Sequence, residues 1–395
     1  MRMRLLAILV SIGIVGMSQG LIIPLLALLL EREGVSALFN GVSTTMLFLG
    51  VIVASPFIER VVRRYGARRT ILYSTILCIL MTVAFPLWQN LYAWVAFRLV
   101  LGIGLAGLFV ATEIWLNRIL TADNRGRVFA FYGLAIAIGM MVGPQGINLA
   151  EYALAAPFAV SAVSYLIPLV LTWRASDEGS QLEPVQPGQG SEVRRWWRIF
   201  WVAPFAMLAS FVYGYLDGAL VGDFPIYGSR LGMSDASISL TLSVFVAGSI
   251  VFQFPLGWLS DRRGRRPALM LAASVGLAGF LLVPLAADSE WMLMSVFFGI
   301  GGALGSFYSL GLAYLGDLIE SGDLATGNVL YTMIYGIGSL LGPSVTGLLI
   351  YKVNAHAFAW SIAGMLLLYV AFGIWQGKAE RRSGQGADMI SSVGS

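Results

Sequence analysis

Gly257-Trp-Leu-Ser-Asp261-Arg262-Arg-Gly264-Arg265-Arg266 places one carboxylate and four guanidinium groups between two apolar runs, residues 237–259 and 267–286. An apolar run of about 20 residues can cross a bilayer as a helix. A cluster of arginines between two such runs is a short loop held on one side of a membrane. A related loop stands 198 residues earlier, where Arg64-Tyr-Gly66-Ala-Arg68 falls on Arg262-Arg-Gly264-Arg-Arg266. The two loops together give both the side of the membrane and the repeat length.

Composition agrees with lipid as the main solvent. Of 395 residues, 58% are hydrophobic and 12% charged, whereas soluble domains carry about 25% charged residues. That little charge cannot cover a soluble protein of this size. The 46 glycines suit closely packed membrane helices. A single cysteine, Cys78, excludes an intrachain disulfide, and a single histidine, His356, excludes a multi-histidine metal site. The net charge of +4 is explained by where the arginines sit, so nucleic acid is not an expected partner.

Twelve spans are predicted, near 5–29, 39–58, 70–88, 92–116, 128–149, 153–173, 201–226, 237–259, 267–286, 291–316, 326–351 and 356–376. Met1-Arg-Met-Arg4 before an apolar run imitates a signal peptide, but the run is too long and lacks a cleavage site, so it is read as span 1. With both termini inside, 21 of the 25 Lys and Arg residues fall on the inner side. Arg32, Arg230 and Lys352 fall outside, and Arg98 lies within a span. That asymmetry predicts a multi-pass protein of the cell membrane with both termini cytoplasmic. Its compact loops suit a bacterial inner membrane.

Residues 175–192 are rich in Pro, Gly, Gln and Glu and are read as a flexible linker. The expected organisation is a first six-helix half at 1–174, a cytoplasmic linker at 175–199, a second half at 200–376 and a disordered tail at 377–395. Arg194-Arg-Trp-Trp-Arg198 suits the membrane surface, with its Trp rings at headgroup depth. The halves repeat at nearly constant offset. Gly16-Met-Ser-Gln19-Gly20 falls on Gly214-Tyr-Leu-Asp217-Gly218, Gly34-Val-Ser36 on Gly232-Met-Ser234, and Gly139-x-x-x-Gly143-Pro144 on Gly338-x-x-x-Gly342-Pro343. Two such halves suit a transporter with a site between them.

The stretch from Gly257 to Arg266 resembles the major facilitator superfamily loop signature, G-x-L-x-D-R-x-G-R-R, at the place of its second copy. Arg98-Leu-Val-Leu-Gly102-Ile-Gly104-Leu-Ala106 resembles the family's fourth-helix motif. Gly139-x-x-x-Gly143-Pro144 resembles part of the fifth-helix motif of antiporters, and with Pro24 suggests the drug:proton antiporter branch. The resemblance implies an all-α fold of twelve transmembrane helices in two pseudo-symmetric halves. It also implies that Gly257, Asp261, Arg262, Gly264 and Arg265 steady the outward-open state. The first copy of the loop departs from the pattern, with Glu59 for glycine and Arg63 for aspartate. Glu59 can pair with Arg63 one turn on, but no lock is expected there.

Gly102-Ile-Gly104-Leu-Ala-Gly107 also matches G-x-G-x-x-G, but it lies inside an apolar span without a preceding strand, so close packing explains it. The same holds for the glycines from Gly299 to Gly305. Gly139, Gly143 and Pro144, with Gly342 and Pro343, are read as helix bends, either gating a cavity or merely packing.

Ionisable residues inside spans are functional candidates by default. The expected proton and substrate cavity comprises Gln19, Arg98, Glu113, Tyr213 and Asp217. Arg98 and Glu113 lie fifteen residues apart on one helix, about 22 Å along its axis, and cannot pair. Asp217 lies mid-span, with Tyr213 one turn earlier. A carboxylate withdrawn from water can exchange protons near neutral pH. Asp223 is read as interfacial, Asp317 and Glu320 as solvated, and His356 as bordering the last span. Gln145, Asn148, Gln253, Tyr308, Tyr331 and Tyr335 are weaker cavity candidates.

The expected function is secondary transport of a small molecule by alternating access, with proton-coupled efflux favoured. The alternative is proton-coupled uptake of a sugar or an organic anion, since Arg98 allows an anionic substrate. A non-transporting membrane sensor and a membrane enzyme are remote alternatives. No nucleotide-binding loop of the Walker type is present. No catalytic residue, cofactor or metal is expected. The expected partners are the substrate, protons and the lipid bilayer, and the protein is expected to be a monomer.

Overall fold

Twelve helical spans follow one another in the computed structural model, which describes residues 2–120, 122–175, 192–320 and 323–393. Spans 1 to 6 are Met3–Arg32, Ala37–Tyr65, Ala67–Leu87, Leu91–Ile119, Val128–Glu151 and Ala156–Arg174. Spans 7 to 12 are Pro204–Arg230, Asp235–Arg263, Arg265–Ala286, Glu290–Leu318, Thr326–Lys352 and Ala357–Gly377. Each predicted span has its helix. Spans 2 and 8 end later than predicted, at Tyr65 and Arg263. Arg63, Arg64, Arg262 and Arg263 occupy their last turns, where positive charge complements the helix C-terminus.

The two halves repeat in detail. Positive-φ glycines stand at Gly34 and Gly232, and again at Gly66 and Gly264. Each pair is 198 residues apart, and each turn requires a backbone conformation that other residues rarely adopt. Ser36 caps span 2 and Ser234 caps span 8 through their side chains. Arginines at equivalent positions of the two loops, Arg68 and Arg266, each clamp the end of their own half. Arg68 Nε donates to Thr172 O at 3.0 Å, and Arg266 Nη2 donates to Gly373 O at 2.9 Å.

Within each half, glycine lets helices touch. A side chain at Gly139 or Gly143 would collide with the backbone of span 1, and one at Gly338 or Gly342 with that of span 7. The bend motif behaves differently in the two halves. The α-helix of span 5 ends at Val142 and continues as a 3-10 helix, Gly143–Glu151. In span 11 the α-helix Leu324–Lys352 runs unbroken through Gly342 and Pro343. Pro343 is wedged against Gly218 of span 7 and Gly41 of span 2.

The predicted linker at 175–199 falls mostly on residues 176–191, outside the described residues, and its end is already helix, Glu192–Val202. Ile199 packs there against Met207, Leu315 and Tyr331. Arg195 Nε and Arg198 Nη2 each bind one carboxylate oxygen of Asp323 at 2.6 Å. Trp197 and Trp201 stay exposed on this helix. The predicted disordered tail is also helical, because the last helix runs from Ala357 to Val393. Residues 378–382, Lys-Ala-Glu-Arg-Arg, favour helix.

The bonds that join the halves cluster from mid-membrane to the face remote from the arginine-rich loops. Thr45 of span 2 donates to Leu340 O of span 11 at 2.8 Å and shares a 2.7 Å hydrogen bond with Ser344. Gln145 of span 5 donates to Ser243 of span 8 at 2.9 Å. At the outer ends Arg32 binds Asp235 and Arg230 binds Glu31. The halves are thus tied together from mid-membrane to the arginine-poor face.

Candidate functional site

A small, mostly apolar pocket lies between the halves. Gly20 and Pro24 of span 1 and Met140 and Pro144 of span 5 form one wall. Asp217, Leu220 and Val221 of span 7 and Leu242, Phe245 and Val246 of span 8 form the other. The break in span 5 therefore shapes the pocket directly. Asp217 is the one ionisable residue among the ten that line it.

Asp217 is held by an aromatic cluster. Its Oδ2 accepts a 2.7 Å hydrogen bond from the Tyr335 hydroxyl of span 11. Tyr213 stacks on Tyr335, with centroids 6.1 Å apart. Tyr308 of span 10 meets Tyr335 at 5.3 Å and Tyr331 at 5.0 Å. Tyr331 donates to Tyr308 O at 2.8 Å, which fixes the cluster to the helix backbone. Tyrosine faces carry negative quadrupole density, so such a cluster favours a cation or a flat aromatic group.

Glu113 of span 4 is crowded by the surrounding helices yet leaves part of its side chain uncovered. It stands near Tyr132 of its own half and Tyr308 of the other. It therefore faces the cluster across the opening. One carboxylate in each half thus lies near the tyrosine cluster. Gln19, the repeat partner of Asp217, is half-buried on span 1.

Arg98 does not line that path. It is 1% exposed, and its Nη1 donates to Ser43 Oγ at 3.0 Å and Thr44 Oγ1 at 2.9 Å. Asp223, expected at the interface with water, is fully buried. Span 7 turns that face toward span 2 rather than outward. Ser43 and Thr44 carry no charge, so a search for ionisable residues within spans passes over them. Their signal is the polar run Ser43-Thr-Thr45 in an otherwise apolar span. His356 meets the Tyr227 hydroxyl at 3.3 Å, at the outer ends of spans 7 and 12.

In the second loop, Arg265 Nη1 donates to Asp261 Oδ1 at 2.7 Å and to Ser260 Oγ at 3.2 Å. Arg265 Nε stands 3.5 Å from Asp317. Arg262 lies over the Trp258 ring at 4.3 Å. All these partners belong to the second half. In the first loop Glu59 pairs with Arg63 at 2.5 Å. Gly257 meets no atom within 4 Å of a notional side chain. Among the described residues no cluster of His, Cys, Asp and Glu is suited to a metal.

The Major Facilitator Superfamily model matches residues 8–234 and 206–388. An uncharacterized MFS-type transporter of Bacillus subtilis, YfkF, is 34% identical over 343 residues, 87% of each chain. An uncharacterized MFS-type transporter of Yersinia enterocolitica, YE1530, is 27% identical over 331 residues, 84% of each chain. Among solved structures, the nucleoside transporter NupG (D323A mutant) superposes with a TM-score of 0.74 at 13% identity, covering 94% of this chain and 99% of that one. A bacterial homologue of the human lysosomal transporter Spinster, inward-facing and occupied, gives 0.72 at 16% identity over 94% of each chain. At these identities the two structures establish the fold alone.

Proposed function

Because this chain belongs to the Major Facilitator Superfamily, and so is a membrane transporter of that type, we propose that it exports a small organic cation bearing an aromatic group, in exchange for protons. The observation that carries this reading is the charge of the path between the halves. Asp217 is its pocket's one ionisable residue, Glu113 stands nearer the arginine-rich face, and tyrosines line the interval. Arg98, the residue that favoured an anionic substrate, is sealed away from it.

In this reading the arginine-rich face is cytoplasmic, and the membrane is a bacterial inner membrane, in keeping with the bacterial relatives. The cation enters from the cytoplasm, rests against the tyrosines and is neutralised by Asp217. A proton arriving from outside after the halves rock competes for that carboxylate and releases the cation. Glu113 offers a second carboxylate on the way in. The fifth-helix motif supports the exchange direction, and Pro144 within it lines the pocket. The chain works as a monomer of two halves, residues 1–174 and 200–376, without a cofactor. The loop from Gly257 to Arg265 acts when the cytoplasmic face closes.

The test is ethidium accumulation in an efflux-deficient bacterial host at matched membrane expression. Wild type should lower accumulation, and a protonophore should abolish the difference. Asp217→Asn should lose export by about tenfold or more, the scale of a lost charge contact, and Glu113→Gln should lose less. No export by well-expressed wild type would sink the cation reading and redirect the search to uptake of sugars and organic acids.

A further inference from the structure

Arg98 of span 4 and Asp223 of span 7 are 1% and 0% exposed and belong to opposite halves. Each lies seven residues inside the outer end of its span, Leu91 or Arg230, which places both at a depth of about 10 Å. Thr44 of span 2 connects them. Its hydroxyl accepts from Arg98 at 2.9 Å. Its methyl group lies against Gly222, so close that a Cβ there would come within 3.0 Å.

The local hydrogen bonds leave both charges incomplete. Arg98 Nη2 and both carboxylate oxygens of Asp223 lack a hydrogen-bond partner. Burying a charge without a counter-charge is strongly unfavourable, in a membrane most of all. Thr44, bonded to Arg98 and packed on Gly222, sets Asp223 in the same buried layer as Arg98, each the other's charged neighbour. Around them stand neutral groups. Ser43 and Thr44 face Arg98, and Tyr215 lies below Asp223 with its hydroxyl bonded to Thr346 and Ser361.

We propose that Arg98 and Asp223 form a buried charge latch that holds the two halves together at the arginine-poor face and sets how readily that face opens. This rests on transport by alternating access. The outer pairs Arg230–Glu31 and Arg32–Asp235 reach solvent, where ion pairs contribute little. The latch is shielded from water and salt, so closure of that face depends on the two charges remaining matched. Neutralising one partner strands the other charge, and stranding is relieved by opening to water. Neutralising both removes the conflict.

The experiment measures the opening directly. In a Cys78→Ala background, cysteines replace Glu33 and Ala236, exposed at the outer ends of the two halves, and carry spin labels. Electron–electron distance distributions are recorded in nanodiscs. Asp223→Asn should raise the ratio of separated to closed distances by about tenfold or more. Arg98→Gln/Asp223→Asn should return that ratio to within about threefold of wild type. A ratio unchanged within about twofold in Asp223→Asn, or a double variant as open as the single one, overturns the latch. Where Asp223→Asn does not accumulate for purification, Val221→Cys reports in intact cells. Its alkylation by an impermeant maleimide should quicken about tenfold with either single neutralisation, and an unchanged rate overturns the proposal. Opening by Asp223→Asn without ethidium export leaves the latch standing and removes the substrate reading alone.

Discussion

Tyr335 donates its hydroxyl hydrogen to Asp217 Oδ2 at 2.7 Å, across spans 11 and 7 of one half. The other side of Asp217 faces the apolar pocket. The carboxylate thus has one fixed donor and one side left for a ligand. Hydrogen bonds to charged groups contribute about 1.5–3 kcal/mol. Tyr335→Phe should therefore slow ethidium export by roughly tenfold. Added to Asp217→Asn, the same change should cost less than about twofold, because the two residues act as one unit. Initial export rates of the four proteins check this.

The outer ion pairs should matter far less. The Glu31 and Arg230 side chains are 15% and 32% exposed, and such pairs contribute about 0.2–1 kcal/mol. Arg230→Ala should change the export rate by less than about fivefold. The difference should shrink further in high salt, which screens solvent-accessible charges. Export by reconstituted vesicles at two salt concentrations measures both effects.

Helix contacts made through glycine tolerate no side chain. At Gly139 a Cβ would meet the backbone of Gly13 and Met17, whereas at Gly133 it would meet nothing. Gly139→Leu should lower the melting temperature in detergent by at least about 5 °C, since overpacking costs about 1–3 kcal/mol or more. Gly133→Ala should leave it within about 2 °C. Size-exclusion fluorescence after heating reads both.

The second loop should separate function from stability. Asp261 is 67% exposed and paired within its own half, and a side chain at Gly257 would touch nothing. Neither Asp261→Asn nor Gly257→Leu should shift the melting temperature by more than about 2 °C. Both should lower export if the loop engages the first half when the arginine-rich face closes. Normal export by Gly257→Leu would assign this glycine no part in that movement.

The spans were legible in the sequence because lipid forces long apolar runs, and the arginines because they are confined to one face. Asp217 was legible for the same reason, as an ionisable residue stands out in an apolar run. Its partner was not. Tyr335 lies 118 residues away, and only the packing of span 11 on span 7 brings it near. Asp223 was misread, because its distance from the helix end resembles an interfacial position. What decides its burial is which face of span 7 meets span 2, and that depends on the other half. The helix at Glu192–Val202 was hidden by its charges. Asp323, in a distant loop, supplies the acid that docks them.

The pocket walls make the last prediction. Val246 is half-buried and lines the cavity opposite span 1. A binding site loses its ligand when a large side chain occupies it. Val246→Trp should fill the pocket's apolar side while leaving Asp217 and its tyrosines intact. Export should fall by about tenfold or more, with the melting temperature preserved. Val246→Ala should keep export within about threefold and extend it to bulkier cations. Competition by cations of increasing size, measured on both variants, separates a filled pocket from a damaged fold. A damaged fold loses all substrates together, whereas a reshaped pocket changes their order. If Val246→Trp exports ethidium at the wild-type rate, the cation does not pass beside Asp217 in this pocket, and Glu113 becomes the carboxylate to pursue.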